Sequence, residues 1–212
     1  RADVAFLESS SELDDGKPAT TMWNAIDGNN TTSWCAKGND RTPYLSFGFE
    51  QPVTVTHIAL VVGAMKGDDL DKAKKRARIV VVGDTEHRVE AKFKDDAAVQ
   101  TLEITPPAKG KRIVVEFPGF YDGTTETAPL CVSEVVLKDK SDDLTGASVA
   151  AKLRALNTPS KRLLHRWLDD VSAPTKTLTF SLDGTFTYVF EPLLEGKPAK
   201  AHGKCTATGT AV

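Results

Sequence analysis

Several things are scarce in this chain, and each scarcity excludes something. Of 212 residues only three are Cys. That is too few for a disulfide scaffold, and no C-x-x-C pair suggests zinc. The odd count leaves one thiol over, or one whose partner lies outside this chain. No run of about 18 apolar residues occurs, so no transmembrane span is expected. The longest apolar stretch, "HIALVVGAM" (57–65), is strand-sized. Charge of one sign is lacking too. Net charge is -2 and the pI about 6.1, which argues against a domain built to bind nucleic acid. No signal peptide precedes "ADVAFLESSSE", and the start at Arg1 reads as a mature or trimmed product. Catalytic signatures are missing as well: no Ser-His-Asp order, nucleophile elbow, P-loop or H-E-x-x-H. His57, His87, His165 and His202 stand on separate segments, none at metal spacing. The chain reads as no enzyme.

What is present is mostly strand. The hydrophobic fraction of 40% supports a packed core. "PYLSFGF" (43–49), "VTVTHIALVV" (53–62), "RARIVVVG" (76–83), "HRVEAKF" (87–93), "VQTLEIT" (99–105), "KRIVVEF" (111–117) and "LCVSEVVLK" (130–138) are short β-branched or alternating runs. Gly, Pro and Asp turns separate them, and no helix-length period interrupts 45–138. This spacing predicts a mainly β chain with an antiparallel sandwich. The pattern then changes. Residues 139–147 are polar and read as a linker. "ASVAAKLRALN" (147–157) and "SKRLLHRWLDDV" (160–171) read as helical, with Ser160 as a possible N-cap of the second. "KTLTFSLDGTFTYVFEP" (176–192) is a hairpin around Asp183-Gly184. Residues 148–212 are therefore a small helical plus β-hairpin segment, packed on the first domain or the front of a truncated second one.

One stretch poses a question. "DGNNTTSWCAKG" (27–38) sets an oxygen-rich turn directly against Trp34 and Cys35. Three readings compete: a plain Asx-rich turn, a sequon at Asn30-Thr31-Thr32 or Asn29-Asn30-Thr31, or a loop around a hard cation. In the last, Gly28 lets the backbone curl so that carbonyls point inward.

"AIDGNNTTSWC", the following "YLSFGFEQPVTVTHIALV" and the closing "CVSEVVL" make residues 1–138 resemble the discoidin, or coagulation-factor type C, galactose-binding-like jelly roll. "GAMKGDDLDKAKKRARIVVV" (63–82) and "FPGFYDGTTETAPLCVSEVVL" (117–137) look closest to the variant found beside bacterial NAD glycohydrolases, their translocation-type domain. Lys74 stands where that variant prefers Asn, and Ala64 where it prefers Tyr. The resemblance implies an eight-stranded β-sandwich binding carbohydrate or another cell-surface ligand through end loops. It also implies a structural calcium on Asp27, Asn30, Thr32 and Glu134. Cys35 and Cys131 lie close in the resembled fold, which implies a disulfide and with it a secreted or periplasmic protein. Cys205 is then the thiol left over.

Ligand candidates follow from the same comparison and from residue chemistry. Lys66, Lys74, Arg76 and Arg78 lie on the family's basic loop, and Arg76 and Arg78 suit an anionic glycan. The alternative for "KAKKRAR" (72–78) is a solvated loop compensated by the acids of "GDDLD" just before it. Trp23, Tyr44, Phe120 and Tyr121 are the aromatics in or near loops that could stack on a sugar; each could equally cap the core. "LTFSLDGTFTYVFEP…HGKCTATG" weakly resembles the opening strands of a lipocalin-like barrel. The functional expectation is a non-catalytic binding module of an exported bacterial protein. The alternatives are a structural or delivery domain of a larger toxin-like or envelope protein, and a non-catalytic part of an enzyme whose active site lies outside this chain.

Overall fold

The computed structural model describes residues 4–13, 20–84, 86–145, 166–168, 175–180, 185–191 and 199–204. Among these, a 3-10 helix (Met22–Ile26) is the only helix, and the rest of the regular structure is strand. In chain order the strands are β1 (Val4–Ser9), β2 (Trp34–Cys35), β3 (Tyr44–Val61), β4 (Met65–Lys66), β5 (Asp69–Leu70), β6 (Arg76–Gly83), β7 (Arg88–Lys92), β8 (Gln100–Tyr121), β9 (Cys131–Val132), β10 (Glu134–Asp139) and β11 (Asp142–Asp143). Then follow β12 (Arg166–Leu168), β13 (Thr175–Phe180), β14 (Thr185–Glu191) and β15 (Ala199–Lys204).

The sequence divides β3 and β8 into two runs each; the structure joins them into long strands that turn a corner. The first half of β3 pairs with β1 and with Arg112–Glu116 of β8, whose end pairs with β6. The second half of β3 pairs with β10 and with Gln100–Gly110 of β8. Each long strand thus serves both layers of the sandwich. The corners fall where the ladder is interrupted, between Gly48 and Val53 and between Val55 and His57. Pro52 sits in the first interruption, and Pro106 and Pro107 lie opposite the second, so no pairing N–H is lost to them. The core collects the inward positions of both layers: Leu45, Phe47, Ile113, Val115 and Phe117 from one, Val55, Ile58, Leu60, Ile104, Val135 and Leu137 from the other. Alternation of buried and exposed positions is the strand signal that the sequence carried.

Two expectations change. Asp139 and the residues after it are not a free linker: β11 folds back on β10, with Asp142 opposite Asp139. Leu144 N–H donates to Leu137 O (2.8 Å), and the buried Thr145 Oγ1 accepts from Leu137 N–H (3.0 Å). The physical reason is that β10 is otherwise an edge, and a returning strand covers it. Within 160–171, read as helical, Arg166–Leu168 is a strand on β13. The expected hairpin is present as β13 on β14, and β15 adds to it, giving a four-stranded antiparallel sheet. The helical reading of 147–157, Ser160, His165, the Asp183-Gly184 turn and Cys205 lie outside the described residues.

Candidate functional site

The opening turn is held at its end by a two-stranded ladder. Trp34 lies opposite Val132, and Cys35 lies opposite Cys131, to which it is disulfide-bonded. Trp34 is fully buried, tilted against Phe117 at 5.7 Å, and its Nε1–H donates to Ser11 O (3.0 Å). So the Trp–Cys pair anchors the polar turn to the strand that leads into Glu134.

That anchoring brings two carboxylates together inside the protein. Asp27 and Glu134 are 7% and 8% exposed. Asp27 Oδ1 accepts from Asn29 N–H (2.9 Å), and Thr32 Oγ1 donates to Asp27 at 2.9–3.0 Å. Glu134 Oε2 accepts from Gly28 N–H (3.1 Å). Gly28 adopts φ 69°, the left-handed curl that glycine permits. Burial, and then the charge of Asp27, push the Glu134 carboxyl up to about 8. Asp27, Thr32 and Glu134 are therefore joined as expected. Asn29 and Asn30 are both exposed at the tip, and it is the Asn29 backbone O that accepts from Thr32 Oγ1 (2.8 Å). The donor set is of the hard-oxygen kind that calcium takes: two carboxylates, the Thr32 hydroxyl and the Asn29 carbonyl beside it. Among the described residues no three of His, Cys, Asp and Glu cluster as a metal group, so a cation here relies on those neutral oxygens.

The basic run is dispersed. Arg76 is buried, which rules it out as a solvent-facing clamp. Its Nε and Nη2 hold Asp95 at 2.8 and 3.2 Å, and Nη1 donates to Lys74 O (2.6 Å), Asp122 O (2.9 Å) and Lys72 O (3.4 Å). Lys72 Nζ adds a second contact to Asp95 at 2.9 Å. The hydrogen bond from Arg76, helped by Lys72, holds the Asp95 carboxyl below the usual range against its partial burial. The compensating acid for Lys72 and Arg76 is thus Asp95, not the neighbouring "GDDLD", because strand pairing sets β6 beside β7. Arg76 so ties the 71–75 loop to the 122–130 loop.

Those loops, with residues 38–41, wall a cleft of about 1130 Å³. Phe120 contributes an aromatic ring, with Lys75 Nζ 4.8 Å above it and donating to Glu126 O (2.6 Å). Arg41, Asp122, Thr124, Thr125 and Glu126 line the remainder. Asp40 points inward, accepting from the Ser10 and Ser11 hydroxyls (2.5 and 2.6 Å), and fixes its loop. The other predicted residues are scattered. Trp23 is fully buried in the 3-10 helix, so it is core and stacks on no ligand. Tyr44 lines a separate hollow with Arg112 and Glu116. Lys66 is exposed on the β4–β5 hairpin. Arg78 and Tyr121 do meet, in a third place on β6 and β8. Sequence reasoning missed Arg41 and the 122–127 wall. The signal for the latter was "DGTTET" (122–127), a second polar Asp-Gly-Thr run resembling the opening turn.

The bent antiparallel sandwich with loops gathered at one end is the galactose-binding-like architecture. The chain belongs to the NAD glycohydrolase translocation F5/8 type C domain family, whose model matches residues 2–138. Among solved structures, mycobacterial arabinofuranosyltransferase AftD is similar at 15% identity and TM-score 0.56, over 99% of this chain and 16% of that chain. The family 32 carbohydrate-binding module of Clostridium perfringens NanJ, solved with galactose, is 18% identical with TM-score 0.45, over 63% of this chain and 97% of that one. An F5/8 type C domain from Bacteroides fragilis is 18% identical with TM-score 0.48, over 64% and 95%. At this identity the AftD likeness speaks to the fold alone. Comparison with curated protein sequences finds no match.

Proposed function

We propose that this is a non-catalytic binding module of an exported protein, and that it takes carbohydrate or another cell-surface ligand in the cleft between its end loops. The observation that carries this reading is the cleft itself. It is larger than a solvent crevice, one aromatic ring is braced in it, and its rim alternates charges, hydroxyls and backbone. A ring set among charged and hydroxyl side chains suits a sugar, which presents an apolar face and a rim of hydroxyls. Export is supported by the Cys35–Cys131 disulfide, which persists in oxidising compartments. No helix among the described residues is long and apolar enough to cross a membrane.

The reading includes calcium under the opening turn, held by Asp27, Thr32, Glu134 and carbonyls of residues 27–32. Bound there, the ion neutralises two buried carboxylates and stiffens the loop end; it supplies no chemistry.

The second reading, a delivery domain with no small ligand, is favoured by the family's own description as a translocation domain. A glycan array separates the two. The expected result is saturable binding to at least one glycan, weakened at least tenfold by Phe120→Ala. An array without a single saturable signal discards the glycan reading and leaves delivery.

A further inference from the structure

We infer that a second site, on the outer face of β6, β7 and β8, receives the carboxylate of an acidic sugar through Arg78, Lys92 and Tyr121. The class of ligand rests on the carbohydrate reading; the site itself is independent of the end cleft.

Four observations build it. First, Arg78 stands alone among the arginines of the sandwich strands. Arg76 holds Asp95, Arg88 holds Glu116 and Arg112 holds Glu8, whereas no carboxylate of the described residues lies within ion-pair reach of Arg78. Second, Arg78 is exposed yet placed, with its guanidinium 5.9 Å from the Tyr121 ring centroid. Stacking on a ring leaves the edge of the guanidinium fork free to meet an anion with two parallel hydrogen bonds. Third, the ring cannot swing away, because Tyr121 Oη donates to Phe93 O (3.0 Å). Fourth, the surface is hollow. Arg78, Ile79, Lys92, Phe93 and Tyr121 enclose about 410 Å³, within the range of ligand pockets. Gly119, opposite Ile79, lets that side chain lie down on β8: a Cβ there would stand 2.9 Å from three carbons of Ile79.

The neighbouring charges favour an anion. Lys92 lies opposite Ile79; its one ionic partner among the described residues is Glu90 at 3.4 Å, and a pair of such exposed groups contributes little. Asp95, the other nearby carboxylate, is taken up by Arg76 and Lys72. Ile79, Phe93 and the Tyr121 ring add apolar surface beside the two cations. A bare inorganic anion has no use for that surface; a sugar ring bearing a carboxylate uses both parts. The placement of Arg78 before binding reduces the ordering cost of capture.

The test is titration of the isotope-labelled chain with sodium glucuronate, followed through backbone amide shifts. Glucuronate should move the amides of 78–79, 92–93 and 119–121 saturably, and glucose at equal concentration should not. Arg78→Gln should weaken the response at least tenfold and Lys92→Gln about threefold, with the rest of the spectrum unchanged. Arg78→Lys, which keeps the charge and loses the fork, should fall between wild type and Arg78→Gln. Phe120→Ala should leave this response intact even where it abolishes glycan binding at the end cleft, so the two sites fail separately. No saturable shift at these amides overturns the site, as does an unchanged response in Arg78→Gln. Inorganic phosphate or free glutamate matching glucuronate overturns the acidic-sugar class.

Discussion

Two buried charged groups stand near the loop end, and they are built on opposite plans. Under the 27–32 turn, Asp27 and Glu134 set like charges together, and the Glu134 carboxyl is driven up to about 8 by burial and then by Asp27. Under the 71–75 loop, Arg76 and Asp95 set opposite charges together, and the Asp95 carboxyl is held low by the Arg76 hydrogen bond. The second group is complete within the chain: cation, anion and three loop carbonyls satisfy one another. The first sets backbone N–H groups and a hydroxyl against two carboxylates, and on the proposed reading a proton or a calcium ion eases their repulsion. One holds its loops at any ordinary pH; the other makes loop stability depend on conditions.

The largest effect should come from the covalent staple that forces the like charges together. Cys35 and Cys131 close a loop with a sequence separation of 96. Replacing both by Ser should cost about 4.7 kcal/mol in the chain-entropy model, or roughly 9–19 °C in Tm for a chain of this size. A drop under about 3 °C would mean that the β2–β9 ladder and Trp34 alone hold the turn. Next comes the opposite-charge group. Arg76→Met should cost about 3 kcal/mol, because it leaves three carbonyls without that donor and Asp95 with Lys72 alone. Asp95 is partly solvated, which keeps the loss toward the lower end of that for buried pairs. Adding Asp95→Leu should restore part of the loss, since removing both partners is far less costly than removing one. A double variant as unstable as the single would place the value in the carbonyl contacts and not in the ion pair. Both are read by thermal melts.

How much of this lay open in the sequence depends on the range over which each signal acts. Strands and turns were legible because period-2 alternation and Gly/Pro punctuation are local. The continuity of β3 and β8 was not, because a bend with a register shift looks the same in sequence as a gap between two strands. The 139–145 return was read as a linker because its hydrogen bonds go to residues chosen by an open sheet edge, not by composition. Asp27, Thr32, Glu134 and the disulfide were reached through the family resemblance and came together. The ligand candidates fared differently. Aromatic and basic residues near loops can face either way, and only packing decides: Trp23 went into the core and Arg76 into a latch, while Arg78 stayed outside. Asp95 could not be foreseen as the latch's anion, since 19 residues separate it from Arg76 and only the β6–β7 pairing joins them.

The smallest of these effects is also the one that tests the comparison most directly, since it asks whether the two groups respond to pH with opposite sign. A carboxyl whose folded pKa is raised contributes its full stability below the unfolded pKa and loses it as pH rises toward the folded one. For Glu134 that window runs from the ordinary carboxyl value of 4.5 to about 8. In chelator, melting temperature should therefore fall by several degrees between pH 5 and pH 8. Asp95, whose folded pKa is lowered, works the other way: its contribution is present above the ordinary value of 3.8 and is lost as pH falls below it. Calcium should cancel the first trend and leave the second alone. Binding the native state only, it should add about 2.7 kcal/mol at a hundredfold excess over its Kd, roughly 5–11 °C. Magnesium should not replace it, because that ion holds its water and demands a tighter octahedron. Glu134→Gln removes both the ligand charge and the titrating group, so it should flatten the pH 5–8 slope and weaken the calcium response in one step; Asp27→Asn should weaken the calcium response too. A flat slope in wild type with chelator, or a calcium response undiminished in Glu134→Gln, would put the turn in the same class as the Arg76 latch: a self-sufficient hydrogen-bonded corner with no call for an ion.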